Sequence, residues 1–402
     1  MRLGRPLTLL LLALAATFGQ QTCATLGKIL PAVIAPAIVE DLRLDPAWIG
    51  VYMGLTAAAA LVFQMGCGSF ILRYGALRMS QVALVMLTIG LAVAAGATLT
   101  LFALSAIIAG GGAAVSTPAS SHLLGRYSPP RYAPLVFSIK QTAVPMGLLL
   151  AGLLGPLLTT LWGWRGALLA SAAACLVVAT LLEPLRAEFD SDRQPNRSFR
   201  LSDFATTLGS VVGTQDLRGL SLACFAFNGL QTVFTSYFVV YLVELGYSLA
   251  AAGFVFSVAT LVAIPGRVLW GWLGSVFVSP RRMLAGLALG MAGSAGLLAL
   301  FTPSWPVAAI GFVATLLSAT ALSWHGVLLS ETARLAPEGM RGAVTGGVLS
   351  FGQIGALLMP LVYSALLSAT GGHGLGFIVS GLPALLVGLD LLRPVAAGRR
   401  RD

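Results

Sequence analysis

Charged side chains are scarce in this sequence: Asp, Glu, Lys and Arg make up 9% of its 402 residues, against roughly 25% in a soluble domain. Water is therefore not the principal solvent of the folded chain. Cysteine is limited to Cys23, Cys67, Cys175 and Cys224, each inside an apolar run and without metal-ligand spacing, so all four read as small core residues. The chain has no Gly-x-x-x-x-Gly-Lys-Ser/Thr loop and no Ser/His/Asp or zinc-ligand set in an aqueous domain, so no nucleotide or hydrolytic chemistry is visible and no cofactor is expected. The net charge of +10 comes from arginines scattered between apolar runs, with no basic stripe for nucleic acid. The chain does not read as an enzyme.

What the sequence does have is apolar length. Hydrophobic residues are 57% of the chain, and runs of about 20 residues, enough to cross a hydrocarbon core of roughly 30 Å, recur from end to end. In lipid the backbone must satisfy its own hydrogen bonds, and unbroken Leu/Ala/Val/Gly runs lack the alternation of barrel strands, so the spans are helices. The fold class expected is an all-α membrane protein. Windows between polar or Pro/Gly breaks place spans near 7–36, 47–71, 79–97, 101–123, 133–158, 164–183, 219–243, 251–276, 281–301, 305–330, 342–367 and 373–392. The opening segment imitates a secretory leader with Arg2 and Arg5, but its apolar run continues through Val39, too long for one, so it counts as the first span.

Arginine placement supports the count. With both termini inside, cytoplasmic segments hold 19 arginines, from Arg2 and Arg5 to Arg400 and Arg401, and only Arg43 and Arg165 lie outside. That is the asymmetry of the positive-inside rule, which a missed span would scramble. The longest polar stretch, near 184–218, divides the chain into an N-terminal bundle of six spans (1–183) and a C-terminal one (219–402). Arg126-Tyr-Ser-Pro129 after the fourth span is echoed by Arg334-Leu-Ala-Pro337 after the tenth. Parallel half-repeats of this kind place a transported solute at the midplane between two bundles.

Gly68-Ser-Phe-Ile-Leu72-Arg73-Tyr-Gly75-Ala-Leu-Arg78, after the second span, resembles the signature loop of the major facilitator superfamily: Gly, three residues, Asp, a base, one residue, Gly, then bases. Leu72 stands where the aspartate is expected. Gly271-Trp-Leu-Gly-Ser275 before Arg281 and Arg282 resembles the second copy, with Ser275 at the acid. The resemblance implies twelve helices in two six-helix bundles, alternating access, and a conformational latch at Gly68, Arg73, Gly75, Arg78 and Gly271. It also implies a cavity lined by spans one, four, seven and ten. Ser138-Ile-Lys140-Gln141 in span five and Trp324-His325-Gly326 in span ten are similar to stretches of bacterial members. Gly147, Gly152 and Gly155-Pro156 partly resemble the glycine-proline run of superfamily antiporters, although close helix packing explains them equally well.

The candidate binding residues are those that lipid should reject. The only two lysines, Lys28 and Lys140, fall inside spans, where a lysine costs about 2.5–3.5 kcal/mol on insertion scales. Snorkelling to headgroups is the alternative for each. Thr17, Gln21, Thr25 and Lys28 share one face of span one, and Asn228, Gln231 or Thr232, and Thr235 form a stripe on span seven, either cavity lining or interhelical hydrogen bonding. Gln141, next to Lys140, suggests a wet surface. Arg267, four residues before Gly271, resembles the Arg-x-x-x-Gly of monocarboxylate transporters, although Ala263 stands where they carry an aspartate. A guanidinium fork matches a carboxylate; a structural role is the alternative. His325 reads as a proton acceptor, a cavity hydrogen bonder or a structural histidine, while His122 and His373 lie near span ends and receive no role. Glu244, Glu331 and Asp390 lie near span ends and no acid lies at a span centre, so the cavity is expected to be positive and to favour an organic anion. Efflux of a neutral or lipophilic compound is the alternative. The expected partners are a small solute, a coupling proton or counter-anion, and the bilayer, with the chain acting as a monomer in a bacterial inner membrane.

This topology is directly testable. In a cysteine-free background, single cysteines at Asp45 and Gln194 are expected to react with an impermeant maleimide from opposite sides of the membrane. Labelling of both in intact cells would overturn the assignment.

Overall fold

A chain with so little polar surface must close its backbone hydrogen bonds within each segment, and helices do this. The computed structural model describes residues 5–129, 133–196, 209, 211–335 and 341–393; among them the regular structure is helical throughout. The first half contains α1 (Arg5–Val33), α2 (Ala35–Leu42), α3 (Trp48–Tyr74), α4 (Ala76–Ala94), α5 (Leu99–Tyr127), α6 (Ala133–Gln141), α7 (Ala143–Leu181) and the short α8 (Arg186–Phe189). The second contains α9 (Gln215–Glu244), α10 (Leu249–Leu261), α11 (Ala263–Val276), α12 (Pro280–Leu298), α13 (Val307–Ala321), α14 (His325–Leu335), α15 (Arg341–Thr370) and α16 (His373–Leu392). Pro337 of the half-repeat echo, linker residues 197–208 and 210, and both chain ends (1–4 and 394–402) lie outside the described residues.

Among the described residues nine helical segments are long and apolar enough to cross a membrane, or ten when Trp48–Gln64 and Cys67–Tyr74, bent by 58°, count as one. The longest, Ile139–Phe189, has 51 residues, length enough for two spans. Gly163 at φ 70°, ψ 169° interrupts α7 where the fifth and sixth spans are expected to meet, a conformation that needs glycine. With α12, whose first turn carries Arg281 and Arg282, the helices are consistent with twelve spans. Local sequence starts several of them: Thr98, Ser248 and Ser279 are N-caps accepting from the amides of Leu101, Ala251 and Arg282. Two expectations shift. The first span continues past 36 into α2, and the fifth and sixth are joined by a single glycine, not a loop.

The helices form two bundles. α4 packs on α5 and α7, and α1 on α7, in one; α9 packs on α15, and α12 on α16, in the other. They meet along α3 with α15, α7 with α10, and α1 with α9. One end of the molecule is rich in arginine; the other bears Asp45, Glu244 and Gly371. At the arginine-poor end the bundles are sealed. The Ala47 carbonyl accepts from Ser364 Oγ at 2.5 Å and from Tyr237, and a Cβ on Gly50 would collide with the Pro360 carbonyl and the Tyr237 hydroxyl. Nearby, Gly253 lies so close to Gly152 and Pro156 that no larger residue fits. Close glycine contact is how helices gain packing energy where lipid removes the hydrophobic drive.

Candidate functional site

Three spans are broken at similar depth. Thr142 separates α6 from α7, Val262 separates α10 from α11, and Leu322–Trp324 separates α13 from α14. A proline explains the first: Pro145 has no N–H to give the carbonyl four residues earlier, that of Gln141. A carbonyl freed in this way needs a donor. Arg267, one turn into α11, supplies it: Nη1 donates to Gln141 O at 2.9 Å, and Nε donates to Leu322 O at 2.8 Å. One guanidinium thus closes the ends of two broken helices, one in each bundle. Its Nη2 is buried and has no hydrogen-bond partner among the described residues.

Around Arg267 lies a central cavity of about 220 Å³. Its lining runs from Met53 and Thr235, beneath the seal, to Gln64 and Leu329 toward the arginine-rich end. Of the expected residues, Gln21, Lys28, Gln141, Asn228, Gln231, Arg267 and His325 all line it. Span one contributes its Gln21, Thr25 and Lys28 face, and span seven contributes Asn228, Gln231, Thr232 and Thr235. Lys28 is half-buried, and no hydrogen bond or ion pair involving it is found among the described residues. The His325 ring stacks on Trp324, with centroids 3.7 Å apart, and its buried Nδ1 also lacks a partner among the described residues. Trp324 is fixed in turn by its indole N–H, which donates to Gln231 Oε1 at 3.0 Å. Asn228 is partly spent on structure, donating to the Gly352 carbonyl at 2.7 Å. No carboxylate is among the described lining residues. The cavity is basic, with donors facing inward.

Lys140 is placed differently. It is 1% exposed and does not line the cavity; its ammonium donates to Gln21 Oε1 at 3.2 Å, the oxygen that also accepts from Thr117 at 3.2 Å. The snorkelling alternative therefore does not apply, because the side chain points into the bundle. Lys140 stands one shell behind the wall, orienting Gln21 and adding positive charge to a region that already holds Arg267.

This arrangement can be compared with known proteins. The family model described as Major Facilitator Superfamily matches residues 10–360. The chain belongs to this superfamily. A curated relative, the gentisate transporter of Corynebacterium glutamicum, is 32% identical over 146 residues, which are 36% of this chain and 32% of that protein. The match thus spans about a third of that transporter's length. Monocarboxylate transporter 13 of Rattus norvegicus is 27% identical over 330 residues, 77% of this chain and 72% of that protein. Among solved structures, a POT family transporter in complex with 5-aminolevulinic acid superposes with a TM-score of 0.74 at 15% identity, covering 94% of this chain and 95% of that one. At that identity the likeness shows the fold. The chain is a membrane transporter, not an enzyme.

In a superfamily transporter the signature loop should hold an acid, and Leu72 does not supply it. Asp190, after α8, meets that loop from the chain's other side. Its carboxylate accepts from the amides of Leu77 at 2.7 Å and Arg78 at 3.0 Å, in the first turn of α4, where the helix dipole favours negative charge. Burial pushes the Asp190 carboxyl above its ordinary value and the two amides pull it back. Gly75, at φ 103°, turns the chain there, and a Cβ on it would overlap that carboxylate. Asp192 extends the docking, bonding His122 at 2.8 Å and Arg126 at 2.7 Å. Arg73 and Gly68 are exposed, and Gly271 lies in α11 one turn beyond Arg267.

Sequence reading missed Thr117, Gln64 and Gln353 in the lining, since single neutral polar residues in apolar spans carry no distinctive signal. It also gave His373 no role. His373 is 3% exposed and bonded on both nitrogens, to Tyr363 at 2.6 Å and to Glu244 at 2.9 Å, next to the Tyr237 seal. Only the partner distances reveal it.

The Gln21–Lys140 contact yields a double-mutant test. Gln21→Leu strands a buried ammonium and is expected to destabilise the protein by about 1–3 kcal/mol. Adding Lys140→Met, which removes the stranded charge, should restore most of that loss in thermal unfolding of the purified protein. A double variant as unstable as Gln21→Leu would show that the pairing is not what holds Lys140.

Proposed function

We propose that this chain is a secondary transporter of small organic anions, carboxylates in particular, working by alternating access. The observation that carries the reading is the set of nitrogens on the cavity wall with no partner among the described residues, the buried Arg267 Nη2 and His325 Nδ1 and the half-buried Lys28 ammonium, with no carboxylate among the described lining residues. A cation or buried polar nitrogen without a partner is costly, and a bound carboxylate would supply the charge and lone pairs that Arg267 and Lys28 lack. The names of the two relatives, a gentisate transporter and a monocarboxylate transporter, support the same class. The Trp324–His325 stack offers a flat aromatic wall, so an aromatic acid such as gentisate is the first substrate to test. Arg267 and Lys28 are assigned to the carboxylate; Gln21, Gln231, Gln141 and His325 to its polar contacts; Lys140 to positioning Gln21; Asn228 to holding α9 against α15.

In this reading residues 1–183 and 219–402 are the moving bundles, 184–218 links them, and the arginine-rich end is cytoplasmic in a bacterial inner membrane. Gly68, Arg73, Gly75, Arg78 and Gly271 act at the cytoplasmic latch, with Asp190 in place of the missing acid. A proton accompanies the anion through His325 or the substrate's own carboxyl, and one chain suffices for function. The alternative, efflux of lipophilic compounds, calls for a wall of Phe, Trp and Met with the lysines facing lipid. The lining has Trp324 and Met53 but no phenylalanine, and Lys140 points inward.

A thermal-shift screen against gentisate, aliphatic monocarboxylates, sugars and lipophilic cations is expected to show stabilisation by carboxylates, since a ligand of the folded state stabilises by mass action. Arg267→Lys should lower uptake into proteoliposomes by about tenfold or more, because losing one charge-assisted hydrogen bond costs about 1.5–3 kcal/mol and lysine cannot replace a fork. Stabilisation by lipophilic cations alone, or a folded Arg267→Lys variant with unchanged uptake, would contradict the assignment.

A further inference from the structure

A second cavity is larger than the central one. A groove of about 910 Å³ runs along α3 and α4 at the arginine-rich end. Its wall is apolar and open to the surroundings: Val62 is 61% exposed, Phe63 42%, Phe70 42% and Val82 38%. At its rim stand four arginines, Arg73, Arg78, Arg186 and Arg193. Arg78 and Arg186 share one carboxylate, Glu183, at 3.5 and 3.2 Å. The second nearby acid, Asp190, is 3.7 Å from Arg186 and is already committed to two α4 amides. Arg73 and Arg193 are exposed and have no ion pair among the described residues; the Arg73 guanidinium lies over the Tyr74 ring, 5.4 Å from its centroid.

We propose that this groove is a binding site for an anionic phospholipid of the leaflet at the arginine-rich end. Its phosphate sits between Arg73 and Arg193, and an acyl chain lies along Val62, Phe63, Phe70 and Val82. Three features select this occupant. Four guanidinium groups face two carboxylates, so the rim carries an excess of positive charge that a zwitterionic headgroup does not balance. The exposed apolar wall begins within one turn of Arg73 and continues for about two more turns into the bilayer, where a soluble anion gains nothing and a hydrocarbon chain fits. Arginine forks match phosphate oxygens in pairs. The site is separate from the transport cavity, although Arg73 and Arg78 also belong to the proposed latch, so a lipid held here touches the loop between α3 and α4.

The test uses the full-length protein purified in detergent and delipidated. Native mass spectrometry and thermal shift are read after adding dioleoyl phosphatidylglycerol, dioleoyl phosphatidylcholine or inorganic phosphate. Phosphatidylglycerol is expected to be retained and to raise the unfolding temperature, with phosphatidylcholine and phosphate much weaker. Arg73→Gln with Arg193→Gln should reduce phosphatidylglycerol retention to the phosphatidylcholine level. Arg282→Gln, which removes a charge from the first turn of α12, outside the groove, should leave it unchanged. Val82→Trp fills the groove while keeping the arginines, and should also cut retention, so the proposal stays testable if the double variant folds poorly. Equal retention of both lipids, full stabilisation by phosphate alone, or unchanged retention in Val82→Trp and the double variant would each overturn it.

Discussion

The guanidinium of Arg267 joins two helix breaks that lie in different bundles, and the central architecture depends on that joint. Pro145 frees the Gln141 carbonyl, the end of α13 frees that of Leu322, and Arg267 donates to both. In water such carbonyls would be solvated; at the depth of these spans an unsatisfied one costs several kcal/mol. The breaks are therefore tolerated because a multi-donor cation lies between them, and the cation is tolerated because it has carbonyls to bond. Lysine, with its donors on one freely rotating ammonium, could not hold both in a fixed planar fork.

The same joint organises the cavity. With Nε and Nη1 committed, the guanidinium is held rigidly and its Nη2 is left as a buried free donor beside His325 and Lys28. A preorganised donor set gives affinity without an ordering cost. Because Gln141 and Leu322 belong to opposite bundles, any rocking of one against the other must lengthen or re-aim these bonds. The seal through Ala47, Tyr237, Ser364 and the glycine contacts at Gly50 and Gly253 keeps the arginine-poor end shut while they are made. Under the proposed function, substrate charge and bundle geometry meet at one side chain, which is what coupling binding to conformational change requires.

Much of the fold was legible because lipid imposes simple rules: apolar length, arginine asymmetry and the glycine-rich signature loop each act locally and read out directly. The two polar stripes on spans one and seven were legible for the same reason, since helical spacing alone places Gln21, Thr25 and Lys28, or Asn228, Gln231 and Thr235, on one face. What sequence could not show was pairing across more than a hundred residues. Lys140 is a case in point: its rarity marked it as unusual, but only the contact to Gln21, 119 residues away, places it behind the wall. Asp190 is another, since nothing in its own neighbourhood announces that it will cap α4, 113 residues from Leu77. The helix breaks were hidden as well, because a proline in a transmembrane helix more often kinks than interrupts, and the outcome depends on who receives the freed carbonyl.

The central claim is that the cavity reads negative charge through donors it cannot satisfy by itself. Isothermal calorimetry of the purified transporter with gentisate and with its uncharged carboxamide isolates that term, since the two share a ring, hydroxyls and near-equal size. The account predicts measurable binding of the acid and at least about tenfold weaker binding of the amide, the factor that corresponds to about 1.4 kcal/mol. Equal affinity for the two would contradict it, because the ring and hydroxyls would then carry recognition and the basic cavity would be incidental.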